Sequence, residues 1–592
     1  LRPLFTVTLL WLTLACGREG DVNGESSPAD TMSDHGWLTH PTEEELIRGD
    51  AVEGSYLVAF KGVPTGTSSA AINSYGIRKQ TMHGLADKAL GKSELISIDL
   101  LANLNLSDPQ FSFKPLLDRL PGPSGLELRF HNPKQDRAAI SKVQFSSQEA
   151  AHTQLHTWYE QGVIWYAEPN YISKPKGVLE DDIITNFNDP VSFPWLDQIA
   201  YISTIQYFNE NPAVDSPVIA VLDSGVDVLH PALADNIYLN TDGQNQLCLE
   251  DLYGCDTTDT KKDVLGRGTV YPAGTSGFNQ SCNNEQSNCA HGTHVTGIIA
   301  AQDSSYVGVC PYCRVLVVKV VGIKEENGRE SFQIEDSAII AGLAYVSGFT
   351  VGGEPLVRVI NASFGKFQKS RSVGLFIESL TKFGRGILTV AAAGNEDTMK
   401  PQYPAAFEDV IAVSSVDSSS DTPQKAPSSN FGMWVDISAP GSGSCRITSG
   451  ILSSIPGGLS YCTEGTSMAS PVVAGVAGLV LAAEPTLDYD QLRSRVLNSA
   501  VPDNLYRDGV NNAFRPRVSG QELVPLLGGG VVNALAAVDL SVEKSDPIFT
   551  EKRDAVRPGC GSIGAQGSSW WSLALLLLPL YLLNRKKCRH RC

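Results

Sequence analysis

Gly465-Thr466-Ser467-Met468-Ala469-Ser470-Pro471 runs directly into the apolar stretch Val472 to Ala483. A small-residue turn that opens a buried helix presents a hydroxyl at the helix N-terminus, where unpaired N–H groups and the positive end of the dipole favour developing negative charge. Ser467 is therefore a candidate nucleophile. Gly and Ser before a helix also serve simply as a turn and an N-cap, so the choice depends on whether neighbouring elements supply a base and an orienting carboxylate.

Working outward, near-continuous apolar runs recur at Val218 to Leu222, Val315 to Val321, Leu356 to Ile360, Ile387 to Ala393 and Val410 to Val413. Strands buried on both faces read in this way. Ile334, Ala338, Leu343 and Val346 fall on one side of a helix between two of them. The alternation predicts an α/β fold with a parallel sheet flanked by helices, in which ligands gather at the carboxyl ends of the strands. Polar residues stand at those ends. Asp223 closes the first run and opens Asp223-Ser224-Gly225-Val226-Asp227. A carboxylate there costs folding energy unless it is paired, which makes it a turn residue or an orienter. His291-Gly292-Thr293-His294 heads another apolar helix, and Ala391-Ala392-Ala393-Gly394-Asn395 sets a side-chain amide at a strand end. His291 and His294 could also face a metal ion, but zinc hydrolases space two histidines four apart around a glutamate, and no glutamate stands there. No metal is expected at this site.

Together, Asp223-Ser224-Gly225, His291-Gly292-Thr293-His294, Ala392-Ala393-Gly394-Asn395 and Gly465 to Pro471 resemble the subtilisin family of serine proteases, in that family's chain order of Asp, His and Ser. The likeness covers residues 188–543, from Asn188-Asp189-Pro190 to Gly530-Val531-Val532-Asn533-Ala534 and beyond. It implies a subtilisin-like parallel sheet flanked by helices and preceded by a small α+β propeptide. It implies a serine endopeptidase acting on protein or peptide substrates, with Ser467 as nucleophile, His291 as base and acid, and Asp223 holding the imidazole. Asn395 and the Ser467 N–H would form the oxyanion hole. Ser363, Phe364 and Gly365 would pair with extended substrate, and Ala392, Ala393 and Gly394 would wall the pocket for the residue on the acyl side of the cut bond, called P1. Residues 53–172 resemble the family's inhibitor-like propeptide through Tyr56-Leu57-Val58 and Val163 to Tyr171, with an insertion over 86–145 and a linker at 173–187. The product would then be a zymogen whose own propeptide is its inhibitor.

No cofactor is required on this reading. Calcium is common in the family, but Ala232 follows His230-Pro231 where an Asp ligand is usual, and the loop Gln302 to Gly308 is short. Calcium takes about six to eight oxygens, so that site should be lost. Gln402, before Tyr403-Pro404, falls at the floor of the P1 pocket and should make it shallow.

The 592 residues carry a formal net charge of −18, which excludes a nucleic-acid partner because phosphate neutralisation needs clustered Lys and Arg. Arg2 and the apolar run Leu4 to Leu14 read as an export signal over residues 1–16, and Cys16 after Thr13-Leu14-Ala15 resembles a bacterial lipoprotein signal. A polar tether follows over 17–52. Residues 544–566 form a linker ending in Gly559 to Gly564, and 567–592 carry Trp570 to Leu583 and a basic tail, similar to C-terminal sorting signals of bacterial surface proteins. The expected location is the cell envelope or surface of a bacterium, with the membrane as partner through the C-terminal segment and release on processing there. Twelve cysteines in an exported chain read as disulfides. Sequence proximity favours Cys248–Cys255, Cys282–Cys289, Cys310–Cys313 and Cys445–Cys462, and Cys310-Pro311-Tyr312-Cys313 lacks the context of a redox motif.

Overall fold

The polarity pattern of residues 51–175 builds a small antiparallel sheet with one helix on it. Its elements are β1 (Ala51–Lys61), β2 (Leu95–Asn105), β3 (Arg137–Phe145), α1 (Gln148–Glu160) and β4 (Ile164–Pro175), in the strand order β2-β3-β1-β4. Ala151, Leu155 and Trp158 recur at helical spacing along α1 and are buried against Tyr56, Val58, Val143 and Phe145. The structure, a computed structural model, describes residues 50–61, 95–105, 137–175, 193–241, 252–258, 290–381, 386–444 and 450–542, less short gaps, together with Leu38, Pro41, Glu45 and Val178–Leu179 (β5). The signal, nearly all of the tether, the C-terminal segment and Cys248, Cys282, Cys289 and Cys445 lie outside the described residues. Three boundaries differ from expectation. The first strand begins at Ala51, the stretch read as an insertion supplies β2 and β3, and β4 continues to Pro175, three residues into the stretch read as linker.

The larger part of the chain contains β6 (Val218–Asp223), β7 (Gly254–Asp256), α2 (His291–Ala300), β8 (Arg314–Lys319), β9 (Gly322–Glu326), β10 (Arg329–Glu335), α3 (Asp336–Ser347), β11 (Val357–Ala362), β12 (Phe364–Gly365), α4 (Arg371–Leu380), β13 (Leu388–Ala392), β14 (Val410–Asp417), β15 (Gln424–Lys425), β16 (Ile437–Ser442), β17 (Ile451–Ile455), β18 (Leu459–Glu464) and α5 (Thr466–Ala483). Its main sheet has the order β15-β14-β13-β11-β6-β8-β7, with β16 also on β14, and every pairing but that of β15 is parallel. The apolar runs become these strands because both faces are covered. Ile219 and Val221 pack with Val472 and Val476 of α5, while Ala220 and Leu222, pointing the other way, pack with Ile340 and Leu343 of α3 and Phe376 of α4. Each Val, Leu, Ile or Phe among them contributes about 1.5–3 kcal/mol when fully buried. Helix α5 is long and apolar enough to cross a membrane, yet 94% of its apolar window is buried in this core. Apolar residues all round a helix are what a central core position demands. Ile334, read as helical, instead lies in β10, because its backbone pairs with Ser173 before α3 begins.

The small sheet and the larger part share strands. β4 lies between β10, through Ile334↔Ser173 and Glu335↔Ile172, and β12, through Phe364↔Pro175 and Gly365↔Lys174. β5 pairs with β18, through Thr463↔Leu179 and Glu464↔Val178. Charged groups flank this seam. The Glu168 carboxylate of β4 accepts from Arg371 N at 2.8 Å and Ser372 N at 2.7 Å, capping α4 from another segment. Lys142 meets Glu335 at 2.9 Å, and Asn170 Nδ2 donates to the same carboxylate at 2.9 Å. Burial pushes the Glu335 carboxyl up, but Lys142 and these hydrogen bonds outweigh it and hold the group below its ordinary range. Lys366 is bonded to Asp336 in a buried pair and sits over the Tyr171 ring, 5.3 Å from its centroid.

Candidate active site

The carboxyl ends of the parallel strands deliver the expected residues. Asp223 is the last residue of β6, Ser363 follows β11, and Asn395 follows β13 by three positions, while His291 opens α2 and Ser467 lies in the first turn of α5. His291 Nδ1 contacts both oxygens of Asp223, at 2.8 and 3.0 Å, and the two residues are 4% and 2% exposed. Ser224 N donates to Asp223 Oδ1 at 2.7 Å and Gly292 N donates to Ser224 Oγ at 2.9 Å, so the turn after β6 is laced to the head of α2. A Cβ on Gly292 would collide with the Gly225 carbonyl oxygen, and only glycine permits this approach. A carboxylate facing Nδ1 fixes the proton there in neutral imidazole, leaving Nε2 with the lone pair. Nε2 is buried and accepts no hydrogen bond from any of the described residues.

Ser467 Oγ donates to Ser363 O at 2.9 Å, and Ser363 Oγ returns the bond to Ser467 O at 2.9 Å. Asn361 Nδ2 donates to Ser363 Oγ at 3.0 Å and Ser470 Oγ donates to Asn361 Oδ1 at 2.7 Å, so the start of α5 is tied to the end of β11 by neutral groups. The structure joins Asp223 to His291 and Ser467 to Ser363, but makes no hydrogen bond between His291 and Ser467. Asn395 is oriented by Thr466, whose N–H and hydroxyl donate to Asn395 Oδ1 at 3.0 and 2.9 Å. Its NH₂ is therefore the end turned away from Thr466. Thr466 was visible in the sequence only as part of the motif around Ser467, with no signal of this orienting role. His294 is fully buried, donates from Nε2 to Tyr461 O at 3.0 Å, and is pushed down to about 3 by that burial. It shares no partner with His291.

Ala392, Ala393 and Gly394 form a buried strip beside β12. Gln402 is wholly buried, with its Oε1 2.5 Å from where a Cβ on Gly394 would stand. The residues at the family's calcium position do not fit a hard cation. Ala232 offers no side-chain oxygen and its carbonyl accepts Gln302 N at 2.8 Å. Gln302 Nε2 donates to Asn236 Oδ1 at 2.9 Å and to Pro311 O at 2.8 Å, and Asn236 Nδ2 donates to Cys313 O at 2.9 Å. The loop closes on itself through Gly308 N to Ala301 O at 2.8 Å, and a Cys310–Cys313 disulfide follows it in the chain. N–H groups are bonded to these oxygens, whereas calcium takes about six to eight oxygens. Cys255 and Cys462 are each disulfide-bonded as well.

The family model of the subtilases, Peptidase_S8, matches residues 215–518. Subtilisin BL of Lederbergia lenta is 35% identical over 228 residues, which are 38% of this chain and 76% of that protein. Subtilisin E of Bacillus subtilis is 31% identical over 288 residues, 48% of this chain and 60% of that protein. The crystal structure of fervidolysin from Fervidobacterium pennivorans, described as a keratinolytic enzyme related to subtilisin, aligns with a TM-score of 0.51 at 19% identity over 85% of this chain and 63% of that one, a likeness of fold. With the sheet, the strand-end residues and these relatives in agreement, the chain belongs to the subtilase family of serine-type endopeptidases.

Proposed function

We propose that this chain hydrolyses peptide bonds with Ser467 as nucleophile, His291 as general base and acid, and Asp223 as the group that holds the imidazole. The observation that carries the proposal is the two-pronged contact of His291 Nδ1 with the buried Asp223 carboxylate. It commits Nδ1–H and leaves Nε2 to take the Ser467 proton once the hydroxyl turns from Ser363 O. Oγ then adds to the peptide carbonyl. The oxyanion is received by the Asn395 NH₂ and the Ser467 N–H, in the first turn of α5 where the dipole favours it. As the C–N bond breaks, His291 passes its proton to the leaving amine, and water repeats the sequence on the acyl-enzyme.

The edge of β12 next to Ser363 supports recognition of extended peptide by strand addition, since β4 already pairs there. On that pairing we assign the N-terminal module as an inhibitor-like propeptide and the chain as a zymogen. The signal-like N-terminus and the apolar, basic-ended C-terminal segment support export and a membrane tether. The filled loop at Gln302 to Gly308 supports an enzyme that works without calcium there. A serine-directed phosphonate tests the central assignment: it should label the full chain and leave Ser467→Ala unlabelled. A binding protein on this fold, with the triad idle, would leave both unlabelled.

A further inference from the structure

Asn395 stands on a loop that a second segment holds at almost every residue. Asn430 N donates to Gly394 O at 2.8 Å and Asn430 Nδ2 to Ala393 O at 2.9 Å, while Asn430 Oδ1 accepts Glu396 N at 2.9 Å and Thr398 N at 3.1 Å. Asp397 N donates to Ser428 O at 2.9 Å. Glu396 Oε2 takes Asn395 N and Asn430 Nδ2, each at 2.9 Å, and Gln402 Nε2 as a third donor. Asp397 keeps a left-handed backbone, φ 48°, which a residue other than glycine holds only where its surroundings enforce it. The place of Asn395 is thus inherited from residues 428–430.

That segment is in turn gathered round one ammonium. Lys425 ends β15 with its side chain only 6% exposed, and its Nζ donates toward Asp397 Oδ1 at 2.8 Å, Ala426 O and Ser429 O at 2.9 Å, and Pro427 O at 3.1 Å. The rings of Phe431 and Phe514 face it, each with its centroid 5.4 Å away. An ammonium has three N–H bonds for these four oxygens, so it serves them as a centre of charge more than as a set of directed donors. Carbonyl oxygens converging on one point are also what a potassium ion accepts in place of its water shell. Calcium would need its oxygens closer, at about 2.3–2.6 Å, and more of them. The Asp397 side chain, 61% exposed, stands on the solvent side and gives an ion a way in.

We propose that Lys425 is a positioning residue for peptide hydrolysis, a tethered cation whose charge organises residues 426–430 and through them Asn395, and that its place becomes a site for a monovalent cation of potassium size when the side chain is cut back. The first half rests on Asn395 receiving the oxyanion.

In purified protein, Lys425→Ala assayed in tetramethylammonium chloride should lose about tenfold to a hundredfold in kcat, the scale on which a displaced group costs rate, with KM little changed. Potassium or ammonium chloride at equal ionic strength should restore most of the loss, and lithium chloride should not. Lys425→Met, whose stem fills the space, should lose as much and recover in none of these salts, and the unaltered chain should respond to none of them. Where Lys425→Ala is too unstable to assay, Lys425→Met carries the rate measurement. The melting temperature of Lys425→Ala in a Ser467→Ala background then reads the cation site, rising with potassium and not with lithium. Undiminished kcat in both variants overturns the positioning role. A melting temperature equal in every salt, or failure to fold in all of them, overturns the cation site. In an Asn395→Ala background Lys425→Met should cost no further rate, and an undiminished cost there overturns the route through Asn395. Full activity in Asn395→Ala overturns the oxyanion assignment instead, and potassium-dependent melting of Lys425→Ala would still establish the site.

Discussion

The catalytic centre and the seam with the N-terminal module are both buried, but they are built from opposite materials. Around Ser467 the ties are neutral, Ser363 to Ser467, Ser470 to Asn361 and Thr466 to Asn395, with Glu396 accepting from Asn395 N and Asp223 set apart on His291. At the seam they are ionic, Lys142 with Glu335, Lys366 with Asp336, and Glu168 on the N–H groups of α4. Burial disfavours charge in both places, with opposite consequences for acid. His294, in the core, is pushed down to about 3, below the ordinary 6.5, so the folded chain binds fewer protons than the unfolded one. Its contribution is present above about pH 6.5 and is lost as pH falls through that range. Asp336, at the seam, is pushed up to about 6 by burial, against the opposing pull of Lys366. It binds more protons folded than unfolded, so its contribution is present below its ordinary 3.8 and is lost as pH rises through about 6. Desolvation alone thus makes one region acid-sensitive and lets acid relieve the other.

The comparison breaks most visibly at the nucleophile. Ser467→Ala should lower kcat by about 10⁶-fold, and Asn395→Ala by about 10² to 10³, on the scale known for subtilisin. Steady-state hydrolysis checks both, and undiminished activity in Ser467→Ala would mean that the neutral network is scaffolding only. At the seam, Lys366→Met in a Ser467→Ala background should cost about 3–5 kcal/mol by leaving Asp336 buried without its cation, with the double change Lys366→Met, Asp336→Leu recovering most of it. Urea unfolding measures the difference. If the single and double variants are equally unstable, the pair matters by its shape and not by its charge. His294→Gln should flatten the fall in stability between pH 6 and 4 by about 1 kcal/mol per pH unit, read from melting curves across that range. The smallest effect concerns the loop Gln302 to Gly308. Calcium at a hundred times a typical site's dissociation constant would stabilise a binding site by about 2.7 kcal/mol. Here, adding calcium or a chelator should leave Tm unchanged, and a rise of several degrees with calcium would locate a working site among the described oxygens.

The strands of the main sheet were legible because a parallel sheet covered on both faces demands unbroken apolar runs, and Asp223, His291, Asn395 and Ser467 because each stands where such a run or helix begins or ends. Ile334 was misplaced for a local reason: its apolar side chain fits the period of α3, while its backbone is claimed by Ser173, a partner far away in the sequence. The seam was invisible for the same reason. Nothing in the sequence singles out Glu168, Lys142, Glu335 or Lys366, since nothing local in a charged residue announces which distant partner will neutralise it. Thr466 and Glu396 lay beside motif residues, but an orienting hydroxyl and a carboxylate holding three donors are properties of assembled geometry.

β4 and the strands it joins belong to one polypeptide, so their pairing is indifferent to how concentrated the protein is. Segments tied by a short connection meet at effective concentrations on the order of millimolar, and the connection from Pro175 to Val178 is among the shortest a chain can make. If a bond between Pro175 and Val178 were cut, the same hydrogen bonds would become an encounter between separate molecules, and dilution would then favour departure of the strand from the edge of β12.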